Sequence, residues 1–179
     1  MSHLLPQSLA QHKGPLRPAA LTLAALDAAA GWTIVGLLST MVALVSIQVL
    51  LRYVFKSSMG FADEISRLTF VWSIFLAIPL GIRLGVHIGM ELVTSRLPAA
   101  AQNVLVRLTS AIAAAMMVLV AWQSVIVAFD QWDEAMASTS ASAAWFLVAV
   151  AIGSVHSALH LAWIVLTGKP SFTQSVATE

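Results

Sequence analysis

The sequence predicts an all-α integral membrane protein, with four transmembrane helices and a short interfacial amphipathic segment between the second and third. Three observations lead there. Of 179 residues, 59% are apolar and 9% are charged, against roughly 25% charged in an ordinary soluble domain. Mean hydropathy is +0.89. The few charges are clustered, so they leave four apolar runs of about the length needed to cross hydrocarbon at about 1.5 Å per residue.

The chain opens with Pro6, Gly14, Pro15 and Pro18 among Lys13 and Arg17, a mixture that breaks helices. It reads as a cytoplasmic tail over 1–27. A cleaved signal peptide is the competing reading, since two cations precede an apolar run and Ala28, Ala29 and Ala30 are small. Asp27 interrupts that run, and the stretch beyond it is long enough to anchor. Span one is 28–51, without a charge.

Arg52, Lys56, Asp63, Glu64 and Arg67 alternate with Tyr53, Phe55 and Phe61, as suits headgroups, where rings and long cations settle. The next uncharged run, Leu68 to Ile82, is only 15 residues long. Span two is therefore drawn over 64–84, with Arg67 and Arg83 snorkelling and Pro79 kinking its last turns. From Arg83 to Arg107 the chain is too charged to span and too apolar to dissolve, which suggests an interfacial helix ending near Pro98. Span three is 108–129, closed by Asp130, Asp133 and Glu134. A small-residue loop over 137–142 leads to span four, 143–166, which Gly168 and Pro170 stop. Residues 167–179 form a second tail.

Orientation follows from the cations. Both tails and the middle loop hold six of the nine Lys and Arg, the first outer loop holds three and the last loop none. That places both termini in the cytoplasm.

Several function classes fall away. With no cysteine there is no disulfide framework or thiol nucleophile. A net charge of +1 offers no surface for nucleic acid. No phosphate loop, nucleophile elbow or zinc-protease helix is present, so an enzyme is not expected.

The remaining polar residues are few. Asp63 and Glu64 stand four and three residues before Arg67, spacings that let carboxylate and guanidinium meet on one face. They are read as a docking or loop-ordering cluster, against a plain solvated helix start. His156 and His160, one turn apart in span four, are intramembrane candidates. They are expected to hydrogen-bond a neighbouring helix, with Ser154 and Ser157 as partners, against a proton relay or a contact to a partner subunit. No Cys or histidine on a facing span completes a zinc set, and His87, in a loop, does not complete a haem pair. Gln48 and Gln123 are expected to bond between helices. Arg83, His87 and Glu91 repeat every four residues as a stripe turned to water. Trp72 lies deep enough to pack against protein. Ala111, Ala113, Ala114, Ala115 and Gly153 are the residues for close helix packing. No cofactor or metal is expected.

The stretch from Gln48 to Pro98 carries a series of short motifs: Arg52-Tyr53-Val54-Phe55, Phe61-Ala62-Asp63-Glu64, Arg67, Phe70, Trp72, Pro79, Arg83, Gly85-Val86-His87-Ile88 and Leu97-Pro98. In order and spacing this resembles the small, DctQ-like membrane subunit of tripartite ATP-independent periplasmic (TRAP) transporters. The family more often has Trp where Phe61 stands and Glu where Asp63 stands; an aromatic ring and an acid survive both changes. The resemblance implies a bacterial inner-membrane scaffold subunit. Its partners would be a large DctM-like permease subunit, a periplasmic DctP-like binding protein and membrane lipid. The complex would import an organic acid, C4-dicarboxylate-like or a related carboxylate, by symport with an ion. The resemblance also raises Arg52, Tyr53, Phe55, Phe61, Asp63, Glu64, Arg67, Trp72, Arg83 and His87 to docking or structural candidates. The alternative is the membrane anchor of a redox enzyme; a self-sufficient exporter ranks lower, lacking broken helices at mid-membrane.

Overall fold

The computed structural model describes residues 17–57, 59–83 and 98–168. Four helices make up almost all of it: α1 (Arg17–Val54), α2 (Gly60–Arg83), α3 (Ala99–Asp130) and α4 (Ala144–Thr167). All four are long and apolar enough to cross a membrane, and the chain is an all-α membrane protein. Lipid offers no partner for backbone N–H and C=O groups, so spans of this composition close their bonds internally as helices. The expected interfacial segment, with His87 and Glu91, lies outside the described residues.

α1 starts at Arg17 rather than at the expected Ala28, and Asp27 sits inside the helix. Tertiary partners, described below, hold the charge that the sequence alone places at a boundary. α1 ends with Lys56 in the left-handed region (φ 49°) and Ser57 N–H bonded to Leu51 C=O at 3.2 Å, a turn that caps free carbonyls. Gly168 does the same for α4, with φ 71° and its N–H on Ile164 C=O at 2.7 Å.

The principal packed pairs are α1 with α2, α2 with α4, and α4 with α3. The helices thus follow the order α1, α2, α4, α3, with α4 the most deeply buried. α1 turns a stripe at three- and four-residue steps toward its neighbours: Ala20, Leu23, Asp27 and Ala30, then Ile34, Leu37, Met41, Leu44 and Gln48. Only the first four are buried; from Gly31 to Val54 no residue is.

The α2–α4 contact turns on Pro79 and Gly153. Proline has no N–H, so the carbonyl of Phe75, four residues back, loses its helical donor. Gly153 lies against that carbonyl: a Cβ built on it would stand 2.4 Å from the Phe75 oxygen. Only glycine lets the backbones come this near, in the geometry of a Cα–H···O contact. Of the small residues expected to pack closely, Gly153 is buried, Ala113 and Ala114 are half-buried, and Ala111 and Ala115 face outward. Among the described residues of α3, Ala121 and Ala128 are buried.

Candidate functional site

Two polar clusters sit at opposite ends of α2. At its C-terminal end, three helices converge on Asp27. Its Oδ2 accepts from Arg83 Nη1 at 3.0 Å. Its Oδ1 stands 3.0 Å from His156 Nε2 and 2.8 Å from His160 Nε2, and accepts from both when each imidazole carries its proton on Nε2. The Asp27 side chain is 0% exposed, His160 1%, His156 8% and Arg83 17%. The helical rise explains the meeting of the histidines: one turn apart on α4, their ring centroids are 5.1 Å apart. Close packing makes room for it, since Ala20 and Trp163, one on each helix, bury one another nearby.

A carboxylate and a guanidinium so placed neutralise each other, and the imidazoles fill the remaining acceptor positions. The donor atoms of Asp27, His156 and His160 also lie within 4.8 Å of one another, close enough to share a metal ion.

The other cluster ties α2 to the turn between α3 and α4. That turn is braced by Met136 N–H on Ala141 C=O at 2.9 Å and Ala143 N–H on Glu134 C=O at 2.8 Å. Glu64, in the first turns of α2, accepts from the Ser138 N–H at 2.6 Å and from Thr139 Oγ1 at 3.0 Å. Asp63 accepts from Gln48 Nε2 of α1 at 2.9 Å. Trp72 Nε1 donates to the Trp145 carbonyl at 3.1 Å, and the Trp145 ring lies 6.3 Å from that of Trp132. One short stretch of α2 therefore engages both α1 and the α3–α4 connection.

Several expectations change. Arg67 is exposed and forms no ion pair with Asp63 or Glu64 among the described residues, because each acid faces another partner. The histidines do bond a neighbouring helix, through Asp27 of α1; of the serines expected as partners, Ser157 Oγ donates to its own helix at Gly153 C=O, 2.8 Å away. Arg83 turns inward to Asp27 instead of joining a wet stripe. Gln48 does bond between helices, whereas Gln123 is exposed on α3 and makes no interhelical hydrogen bond among the described residues. Arg52, Tyr53, Phe55 and Phe61 are exposed around the α1–α2 connection. Asp27 is the residue that sequence reasoning missed as a site. The available signal was a lone acid at the mouth of an apolar run, in a chain with two unexplained intramembrane histidines.

Comparison with known proteins bears on the whole chain. A protein of Haemophilus influenzae described as a TRAP transporter small permease protein is 34% identical over 71 residues, which is 40% of this chain and 44% of the relative. The match thus spans less than half of that relative. The family described as "Tripartite ATP-independent periplasmic transporters, DctQ component" matches residues 41–168, which include Arg83, His156 and His160 but not Asp27. That family is one of transporter components, not of enzymes, and with most of its length matched this chain belongs to the DctQ component family of TRAP transporters.

Proposed function

We propose that the chain is the fixed scaffold subunit of a TRAP-type secondary transporter in a bacterial inner membrane. It works beside a large permease subunit and a periplasmic binding protein to import an organic acid with an ion gradient. Both termini lie in the cytoplasm, so the Asp27 cluster belongs to the cytoplasmic half and Glu64 to the periplasmic side. Family membership supports the transport role.

The observation that carries the scaffold role is the uneven cover of the apolar helices. Along α3, Leu108, Ile112, Met116, Leu119 and Ile126 lie exposed on one face, and exposed Gln123 falls in the same stripe. The outer part of α1 exposes Val35, Val42, Val45 and Val49. Lipid covers apolar faces as well as protein does, but a glutamine in hydrocarbon is better satisfied by a polar group on a partner helix. The ionisable cluster inside this chain is already internally paired, which suits a brace better than an anion path.

Affinity purification of the tagged chain from its native membrane in mild detergent, with mass spectrometry of what remains bound, tests the proposal. A much larger, many-span permease is the expected partner. A flavin or iron–sulfur subunit in its place would replace the scaffold with a redox anchor.

A further inference from the structure

We propose that Asp27, His156 and His160 form a binding site for one divalent metal ion of the zinc class, pinning α1 to α4. The donor set is two imidazoles and one carboxylate, a combination that zinc sites use with a fourth position left to water or another ligand. It is drawn from two helices, and His156 and His160 are placed by the i, i+4 spacing that lets one helix face chelate an ion.

The distances fit. Both Nε2 atoms already stand 3.0 and 2.8 Å from the same carboxylate oxygen. Ligand bonds of about 2.0–2.1 Å in a tetrahedral arrangement separate donors to about 3.3 Å, so each Nε2 has to move about half an ångström from the carboxylate oxygen, and the two imidazoles, whose ligand atoms lie within 4.8 Å of one another, have to turn toward one ion. A neutral imidazole presents Nε2 to a metal simply by carrying its proton on Nδ1. Room for a fourth ligand exists: a groove of about 560 Å³ reaches His156, and a pocket of about 370 Å³ reaches Asp27 and Arg83.

Arg83 sets the strength of the site. It holds Asp27 Oδ2 and leaves Oδ1 to the imidazoles, fixing the carboxylate as an outer partner does in many metal centres. Its positive charge also opposes the ion in a medium of low dielectric. This predicts a site of moderate affinity, and a variant that binds better: Arg83→Gln removes the repulsion and keeps a polar side chain at that position.

The test uses the full chain in detergent, carrying a tag without histidine, titrated with Co²⁺ and then Zn²⁺. One equivalent of Co²⁺ is expected to give the visible absorption of a four-coordinate nitrogen and oxygen site, and Zn²⁺ to displace it. His156→Gln and His160→Gln should each weaken binding on the order of a hundredfold, and Arg83→Gln should strengthen it on the order of tenfold. The triple variant His3→Ala, His12→Ala, His87→Ala removes every other histidine of the chain, leaves the buried pair untouched and decides the matter even where the site variants fail to fold. Undiminished binding there supports the site. Binding lost with His3, His12 and His87, or less than stoichiometric binding by the unaltered chain, overturns it.

Discussion

The two parts of α1 are built from similar residues and end in different surroundings. From Ala20 to Ala30 the helix is covered by α2 and α4, and it carries its only internal charge on a carboxylate with three partners. From Gly31 to Val54 it is mostly apolar and no residue is buried: a half-buried stripe from Ile34 to Gln48 faces the neighbouring helices, the rest is exposed, and among the described residues one side-chain hydrogen bond, from Gln48, ties it to α2. Hydrophobicity does not distinguish them, because lipid solvates an apolar face as readily as protein does. What fixes the first part is the polar network, which hydrocarbon cannot satisfy; the exposed face of the second part is left for something outside the chain.

Substitutions can sharpen or break that contrast. The largest effect is expected from Asp27→Ala, which leaves Arg83 without its carboxylate and two imidazoles without their acceptor. Breaking one side of a buried ion pair costs about 3–5 kcal/mol, read as a steep fall in folded protein during thermal unfolding in detergent. Adding Arg83→Met should recover part of the loss. A single variant as stable as the unaltered chain would remove the network from its place as the inner clamp.

Gly153→Ala comes next. Its Cβ has to displace the Phe75 backbone, and overpacking of that kind costs about 1–3 kcal/mol; thermal unfolding measures it, and an unchanged midpoint would show that α2 and α4 separate freely.

Glu64→Gln, at the other end of α2, keeps an acceptor but weakens two charge-assisted bonds, a change of about 1 kcal/mol. Faster hydrogen exchange over 137–142 should report it, while Glu64→Lys should lower transport severalfold by loosening the α3–α4 connection or its docking. Wild-type uptake by Glu64→Lys at equal abundance would leave that connection without a functional role. Smallest of all, Val42→Asn should change the isolated chain's unfolding by less than about 0.5 kcal/mol; a large shift would mean that this exposed face of α1 is covered within the chain after all.

Much of this arrangement was legible in the sequence. The apolar runs gave four helices, the i, i+4 histidines marked a polar face inside a span, and Gln48 was readable as an interhelical donor. What escaped was pairing at a distance. Asp27 and His160 are 133 residues apart, and nothing local distinguishes an acid that ends a tail from one that a helix carries into the membrane against a cation. The same holds for Pro79 and Gly153: each is readable as a helix irregularity, but the carbonyl that one frees and the other approaches belongs to a third residue, Phe75. Arg67 misled because its spacing to Asp63 and Glu64 satisfied a helix rule, while other elements supplied better partners.

The most direct test of the scaffold account places a photo-crosslinking amino acid at Val42, in the uncovered part of α1, within native membranes of the source cell. Crosslinking to a many-span permease subunit, absent from a control at fully buried Ser157, is the predicted result. Crosslinks to lipid alone, at Val42 and equally at Leu119 on α3, would contradict the claim that these faces are built to be covered by a partner.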